Sequence, residues 1–284
     1  MNLAISYNAE IISADSRQVY QLLDIGSGKD LSEYSTGEQS VPYHLIDIHP
    51  VTYEYNLFDF QQDAYAAIEN IWFRKRLPIL CGGTGMYLQS VLQHYDLRPV
   101  PEDKDFRRSL DNNSEEELIS LLKEYKSLHN KTDIEDRKRL TRALEIARYQ
   151  DENPAPQPLA ISPVVFGIHF ERQELKNRIT SRLKQRFESG MIDEVDNLLK
   201  SGTDPEKLIL LGLEYRLITQ YLQGEIKSYN DLFQKLNSAI HAFAKRQMTW
   251  FRKMEKDGTI IHWIDGLMPT SEKISFIRHV LRNA

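Results

Sequence analysis

The sequence predicts an α/β fold with a mostly parallel sheet and an all-helical insertion, and three observations predict it. Four apolar runs, "EII" at 10–12, "LPILC" at 77–81, "PVVFGIHF" at 163–170 and "TIIHWID" at 259–265, are short, β-branched or aromatic and bounded by breakers, the pattern of buried strands. Long stretches of helical period separate them, and that alternation builds a parallel sheet. The segment 101–160 interrupts it, being helical in period, strand-free and closed by the Pro-rich "NPAPQPLAISP". The predicted organisation is an α/β core over 1–100 and 161–284 with a helical insertion over 101–160.

With 284 residues, 41% of them hydrophobic and 27% charged, the chain can bury one large core or two smaller ones. No apolar run approaches the roughly 18–20 residues that cross a bilayer, and no basic, then apolar leader opens the sequence, so a cytoplasmic protein with no membrane partner is expected. A single cysteine, Cys81, excludes an internal disulfide and a thiolate zinc cluster. The net charge of −5 argues against a general nucleic-acid coat and directs attention to local basic faces.

Along the chain, "NLAISYNAEIIS" places a helical stub before the first strand-like run. In a doubly wound fold a strand and its phosphate turn precede such a stub, so that strand is expected upstream, and a sheet without it would leave interior backbone groups unpaired. "SADSRQVY" follows the first strand and puts Asp15, Ser16 and Gln18 where open α/β sheets meet ligands; a helix N-cap by Asp15 or Ser16 is the other reading. The tetrapeptide Gly26-Ser27-Gly28-Lys29 resembles the end of a phosphate loop. However, Leu23 stands where the first glycine is required, Asp30 stands where the hydroxyl is required, and no helix opens after it. It reads as a turn, with Lys29 near an anion as the lesser alternative.

"ILCGGTGMYLQSVL" supplies a second strand-to-helix junction, in which the glycines admit a ligand to the backbone or Thr84 caps a tight turn. In "ELKNRITSRLKQRFESGM", Leu175, Ile179, Leu183 and Phe187 form a buried stripe, and Arg178, Arg182 and Arg186 repeat beside it within reach of a diphosphate, or form a solvated face. In the insertion, Leu140, Ala143, Leu144 and Ala147 face inward, with Lys138, Arg139 and Arg142 on the exposed side. "FAKRQMTWFRK" interleaves cations with Phe243, Trp250 and Phe251, aromatics that period 3.6 assigns mostly to the core. No histidine or carboxylate spacing suggests a metal held by the chain.

Taken in order, "EIISADSRQVY", "DIGSGKD", "VPYHLIDI", "LPILCGGTGMYLQSVL", "PEDKDFR", "DRKRLTRALE", "GIHFERQELKNRI" and "FAKRQMTWFRK" resemble the tRNA dimethylallyltransferases, also called tRNA isopentenylpyrophosphate transferases, over almost the whole chain. The resemblance implies a P-loop-NTPase-like core and transfer of a dimethylallyl group from dimethylallyl diphosphate to N6 of adenine 37 in tRNAs reading codons that start with U. It implies Asp15 as general base, Thr84 near the reacting centre and Arg182, with Arg178 beside it, on the diphosphate. It also implies Asp15, Ser16, Arg17, Gln18, Thr84, Arg107 and the run Lys138, Arg139, Leu140, Thr141, Arg142 as contacts to the tRNA anticodon stem-loop. Mg²⁺ held mainly through the substrate diphosphate and a monomeric enzyme complete the expectation.

The sequence departs from the family pattern in three places. The "GPTxSGKT" loop expected before "LAI" is not in the chain, so impaired transfer is expected of it. "LGLEY" replaces "IGYKE" and "AIHAFAKRQ" replaces "TRQYAKRQ", which leaves Tyr215 and His241 without an assigned role. The alternatives are an adenylate isopentenyltransferase, a non-catalytic tRNA-binding remnant and, on fold alone, a nucleoside-phosphate kinase.

Overall fold

The computed structural model describes residues 1–35, 37–125, 135–154, 157 and 159–283. The chain divides into two units, Met1–Tyr95 with Ile161–Ala284, and Asp96–Ala160. The second unit begins five residues before the predicted insertion because Asp96 and Arg98 belong to its closure. The Asp96 carbonyl accepts from Gln150 Nε2 at 2.8 Å, and Arg98 donates to the Asn153 carbonyl at 2.7 Å. In the Pro-rich linker, Ala155, Pro156 and Pro158 lie outside the described residues.

In the first unit, helix α1, Asn2–Ser6, leads into strand β1, Ala9–Ser13, which is buried at every position. Two parallel partners flank it, β2, Tyr43–His44, and β3, Leu77–Cys81, in the order β2-β1-β3. The two-residue β2 inside "VPYHLIDI" is too short to carry a sequence period. Helix α2, Leu57–Phe73, crosses between β2 and β3. Asn56 starts it with a capping box to Asp59, and Phe60, Ala64, Ala67, Ile68 and Ile71 form its buried stripe. Helix α3, Gly85–Leu92, follows β3, and its Tyr87 stacks on Phe60 at 4.0 Å.

The second half of this unit contains β4, Val165–His169, and β5, Ile261–Asp265, which pair in parallel from Val165↔Ile261 to His169↔Asp265. Among the described residues β3 pairs only with β1 and β4 only with β5. The expectation of fully buried strands therefore holds for β1 alone, with Ile168 of β4 remaining 51% exposed. Between β4 and β5 run α7, Arg172–Glu188; α8, Met191–Lys200; α9, Pro205–Leu210; α10, Leu213–Leu222; and α11, Tyr229–Lys256. Gly190, in the left-handed region at φ 92°, separates α7 from α8, Asp204 with Pro205 starts α9, and the Ser228 side chain caps α11. Helix α12, Thr270–Asn283, follows β5. On α7, Leu183 and Phe187 are buried and Leu175 and Ile179 are half-buried, a narrower seam than the predicted stripe.

The second unit is helical: α4, Lys104–Ser109, capped by Asp103; α5, Glu115–Tyr125; and α6, Arg137–Glu152, capped by Asp136. Its core is Leu110, Leu118, Leu122, Leu140, Ala143, Leu144 and Ala147, with each buried leucine contributing about 2 kcal/mol. Among the described residues of the chain no helix is long and apolar enough to cross a membrane.

Candidate active site

Strands β1 and β3 run in register to Ser13↔Cys81, so the turns that follow them leave the sheet side by side. The Ala14 N–H donates to the Cys81 carbonyl at 2.8 Å, and the Ala14 carbonyl accepts from Thr84 N–H at 3.2 Å. Gly82 permits this approach, since a Cβ there would lie 2.5 Å from the Ala14 carbonyl carbon. Ser16 N–H then donates to Thr84 Oγ1 at 3.3 Å, which brings "SADSRQVY" and "GGTG" together.

Neither capping alternative describes these turns. No helix follows β1; instead Asp15 Oδ1 accepts from the N–H groups of Arg17, at 2.8 Å, and Gln18, at 3.4 Å, forming a side-chain turn. Asp15 Oδ2 has no hydrogen bond among the described residues. Thr84 precedes α3 without capping it, its hydroxyl serving Ser16. Gln18 Oε1 accepts from Ser13 Oγ at 2.8 Å and its Nε2 donates to the Gly28 carbonyl at 3.1 Å, which leaves one amide N–H and one lone pair for a ligand. Arg17 is half-buried, with its guanidinium beside Gly212 at the start of α10.

The Gly26-Ser27-Gly28-Lys29 turn is held from within. Lys29 is 3% exposed and its ammonium donates to the Tyr20 carbonyl and Asp24 Oδ1, both at 2.8 Å, and to Asp47. The lesser reading of Lys29 near a bound anion is therefore replaced by an internal one, because those acceptors consume its donors. Gly28 has φ 65°, a conformation that favours glycine, and the end of the Arg186 side chain passes beside it.

Helix α11 closes the other side. Gln247 Nε2 donates to the Gly83 carbonyl at 2.9 Å, and the Trp250 indole packs against Gly85. Gln247 was not singled out from the sequence, since its partner is a backbone carbonyl with no side-chain signature. Phe243, expected in the core, is 42% exposed with Arg246 over its ring, because α11 turns that face outward. His241 Nε2 and Trp250 Nε1 are buried without a partner among the described residues.

The arginines of α7 divide by partner. Arg178 lies over the Phe170 ring at 4.6 Å and 3.9 Å from Glu174, and Arg186 turns to the Gly26 carbonyl at 3.4 Å. Arg182 is exposed and pairs with nothing among the described residues. Glu214, the half-buried second residue of α10, lies within electrostatic reach of Arg186, Asp15 and Arg17, and burial pushes its carboxyl above the usual range. Among the described residues no group of three or more His, Cys, Asp or Glu could hold a metal ion.

In the helical unit, Arg107 donates from Nε and Nη2 to Glu145 at 3.1 and 2.8 Å and pairs with Glu102 at 3.0 Å. Arg142 joins the same carboxylate and donates to the Val100 carbonyl at 2.8 Å. Burial alone would raise Glu145, but Arg107, the Asp103 N–H and Arg142 together hold it at about 2. Lys138 is exposed and unpaired among the described residues, Arg139 pairs with Glu135 and Asp136, and Thr141 is half-buried. Leu140 does not belong with this polar group: its side chain is 1% exposed, in the core of the unit, where it cannot reach a ligand.

A carboxylate turn and a Gly-Gly-Thr-Gly turn meet at the C-terminal ends of parallel strands, where open α/β sheets bind their ligands, and that arrangement places the chain among the α/β enzymes. A family model described as IPP transferase matches residues 18–254. The chain is 47% identical over 284 residues to tRNA dimethylallyltransferase 1 of Parabacteroides distasonis, covering 99% of this chain and 92% of that protein. It is 53% identical over 268 residues to tRNA dimethylallyltransferase 1 of Geotalea uraniireducens, covering 94% and 87%. The crystal structure of the tRNA isopentenylpyrophosphate transferase of Bacillus halodurans matches with a TM-score of 0.72 at 31% identity, covering 99% of this chain and 90% of that one. The chain belongs to the IPP transferase family, that of the tRNA dimethylallyltransferases.

Proposed function

We propose that this chain transfers a dimethylallyl group from dimethylallyl diphosphate to the N6 amine of adenine 37 in tRNAs reading codons that start with U. The observation that carries the reading is the junction of the Asp15 turn with Thr84, made through Ser16 N–H at the ends of β1 and β3, in a chain of this family. An exocyclic amine is a poor nucleophile, and a positioned carboxylate removes that obstacle by taking its proton. Asp15 Oδ1 is engaged in the turn and fixes the group, while Oδ2 is open to accept the proton. As N6 bonds to the dimethylallyl C1, the C1–oxygen bond breaks and the diphosphate leaves with the electron pair. Arg182, the exposed and unpaired member of its row, neutralises that charge, with Arg178 as a more constrained neighbour.

Mg²⁺ accompanies the diphosphate as part of the substrate. Adenine must leave its stack to reach Asp15, and Ser16, Arg17 and Gln18 line its approach. In the helical unit Lys138, Arg139, Thr141, Arg142 and Arg107 contact the anticodon stem-loop, with Glu145 holding Arg107 and Arg142 in place.

The test is transfer of labelled dimethylallyl to tRNA and to AMP. tRNA is the expected acceptor, and preference for AMP would reassign the chain to the adenylate isopentenyltransferases. Asp15→Asn keeps the Oδ1 turn and loses the base, so kcat is expected to fall about a thousandfold with the melting temperature unchanged. Undiminished transfer by this variant would remove Asp15 from the chemistry.

A further inference from the structure

The loop that resembles a phosphate loop does bind an anion, and the anion is its own protein's side chain. The N–H groups of Asp24 and Ile25 donate to Glu194 Oε2 at 2.9 and 2.6 Å, and that of Gly26 donates to Oε1 at 3.1 Å. Three successive backbone donors converging on one carboxylate form an anion nest. The Tyr215 hydroxyl donates to Oε1 at 2.9 Å, from a side chain only 1% exposed. Burial, followed by the charge of Glu194, raises the Tyr215 hydroxyl well above its ordinary value, which keeps it a donor. Glu194 comes from α8 and Tyr215 from α10, so two helices fix the nest.

From the nest a chain of bonds runs to the proposed acceptor site. Gly28 N–H donates to the Asp24 and Ile25 carbonyls at 3.1 and 3.2 Å, the Gly28 carbonyl accepts from Gln18 Nε2 at 3.1 Å, and Gln18 Oε1 accepts from Ser13. We infer that Glu194, supported by Tyr215, is a positioning residue for Gln18: it sets the height of the 24–28 loop and thereby aims the Gln18 amide at the incoming adenine. The inference rests on the tRNA-prenylation reading above. It gives Tyr215 the role that its motif left open and assigns the nest's donors to the fold, so that they do not compete for the substrate diphosphate.

The experiment uses the full chain with Glu194→Gln, Tyr215→Phe, Gln18→Ala and the Glu194→Gln/Gln18→Ala double variant. The substrates are labelled dimethylallyl diphosphate and an anticodon stem-loop RNA, with melting temperatures recorded in parallel. E194Q is expected to raise KM for the RNA about tenfold and Y215F about threefold, with KM for dimethylallyl diphosphate unchanged in both. Gln18→Ala is expected to match E194Q, and the double variant to be no worse than Gln18→Ala alone.

A lowered melting temperature with both KM values unchanged, or additive effects in the double variant, would overturn the inference; if E194Q does not fold, Y215F carries the same comparison. If the wild-type chain binds the RNA without transferring to it, the prenylation reading fails separately and the same four comparisons are made on Kd. A wild-type chain that neither transfers nor binds overturns both.

Discussion

Gly82 and Gly83 are neighbours with different tolerances. A Cβ on Gly82 meets the backbone of Ala14, whereas one on Gly83 meets the far end of the Gln247 side chain, which can swing away. Gly82→Ala must pry the turns after β1 and β3 apart and is expected to cost about 2–3 kcal/mol, a fall of roughly 5–10 °C in melting temperature. Gly83→Ala is expected to stay within about 2 °C. Equal falls in a thermal melt would show that the Ala14 contact is not rigid. The same local logic explains what the sequence discloses at this scale. Asp15 and Thr84 stand out because each sits one turn beyond an apolar run, where strand ends present side chains to ligands. Glu194 does not, because its partners are backbone N–H groups 168 to 170 residues away and no side-chain spacing records them.

Among the elements, β1 carries a buried charge that its apolar pattern hid. Glu10 is 1% exposed and accepts from Arg74 at 2.9 and 2.7 Å, from Arg76 at 3.0 Å and from His44 at 2.7 Å. The Arg74 bonds, opposed by burial and aided by His44 and Arg76, bring its carboxyl from 4.5 down to about 2. A depressed carboxylate stabilises the fold fully above its unfolded value and loses that contribution as pH falls through its folded value. The window is therefore pH 4.5 down to about 2. Glu10→Gln is expected to cost about 2 kcal/mol at pH 7, discounted for the part-exposed arginines, and to melt like wild type near pH 2. A constant difference across a pH series of melts would place the stabilisation elsewhere. Strands β1, β3, β4 and β5, unlike the two-residue β2, were legible because apolar runs between breakers leave few alternatives. Their burial was not, because exposure at Leu77 or Ile168 depends on which strand edges find partners, and adjacent residues do not encode that.

At the scale of the whole molecule, a chain of net charge −5 is assigned a polyanionic partner, so its affinity must come from a few local cations. If about three phosphates are neutralised, stem-loop binding is expected to weaken roughly 20–40-fold between 50 and 200 mM salt. Lys138→Ala is expected to reduce the salt slope by about one, and Arg139→Ala by less because Glu135 and Asp136 already share its charge. A salt-independent Kd in filter binding would place the RNA elsewhere. The two units also differ in the chain length their contacts must close. Among the described residues the helical unit is built from α4, α5 and α6, which are near one another in sequence, while β4 pairs with β5 only after the five helices α7 to α11 have been made. At about 5–20 residues per second, β4 emerges from the ribosome several seconds or more before its partner strand exists. During synthesis the helical unit can complete its core while β4 remains a nascent edge, so a chaperone has most to protect in the interval between Val165 and Ile261.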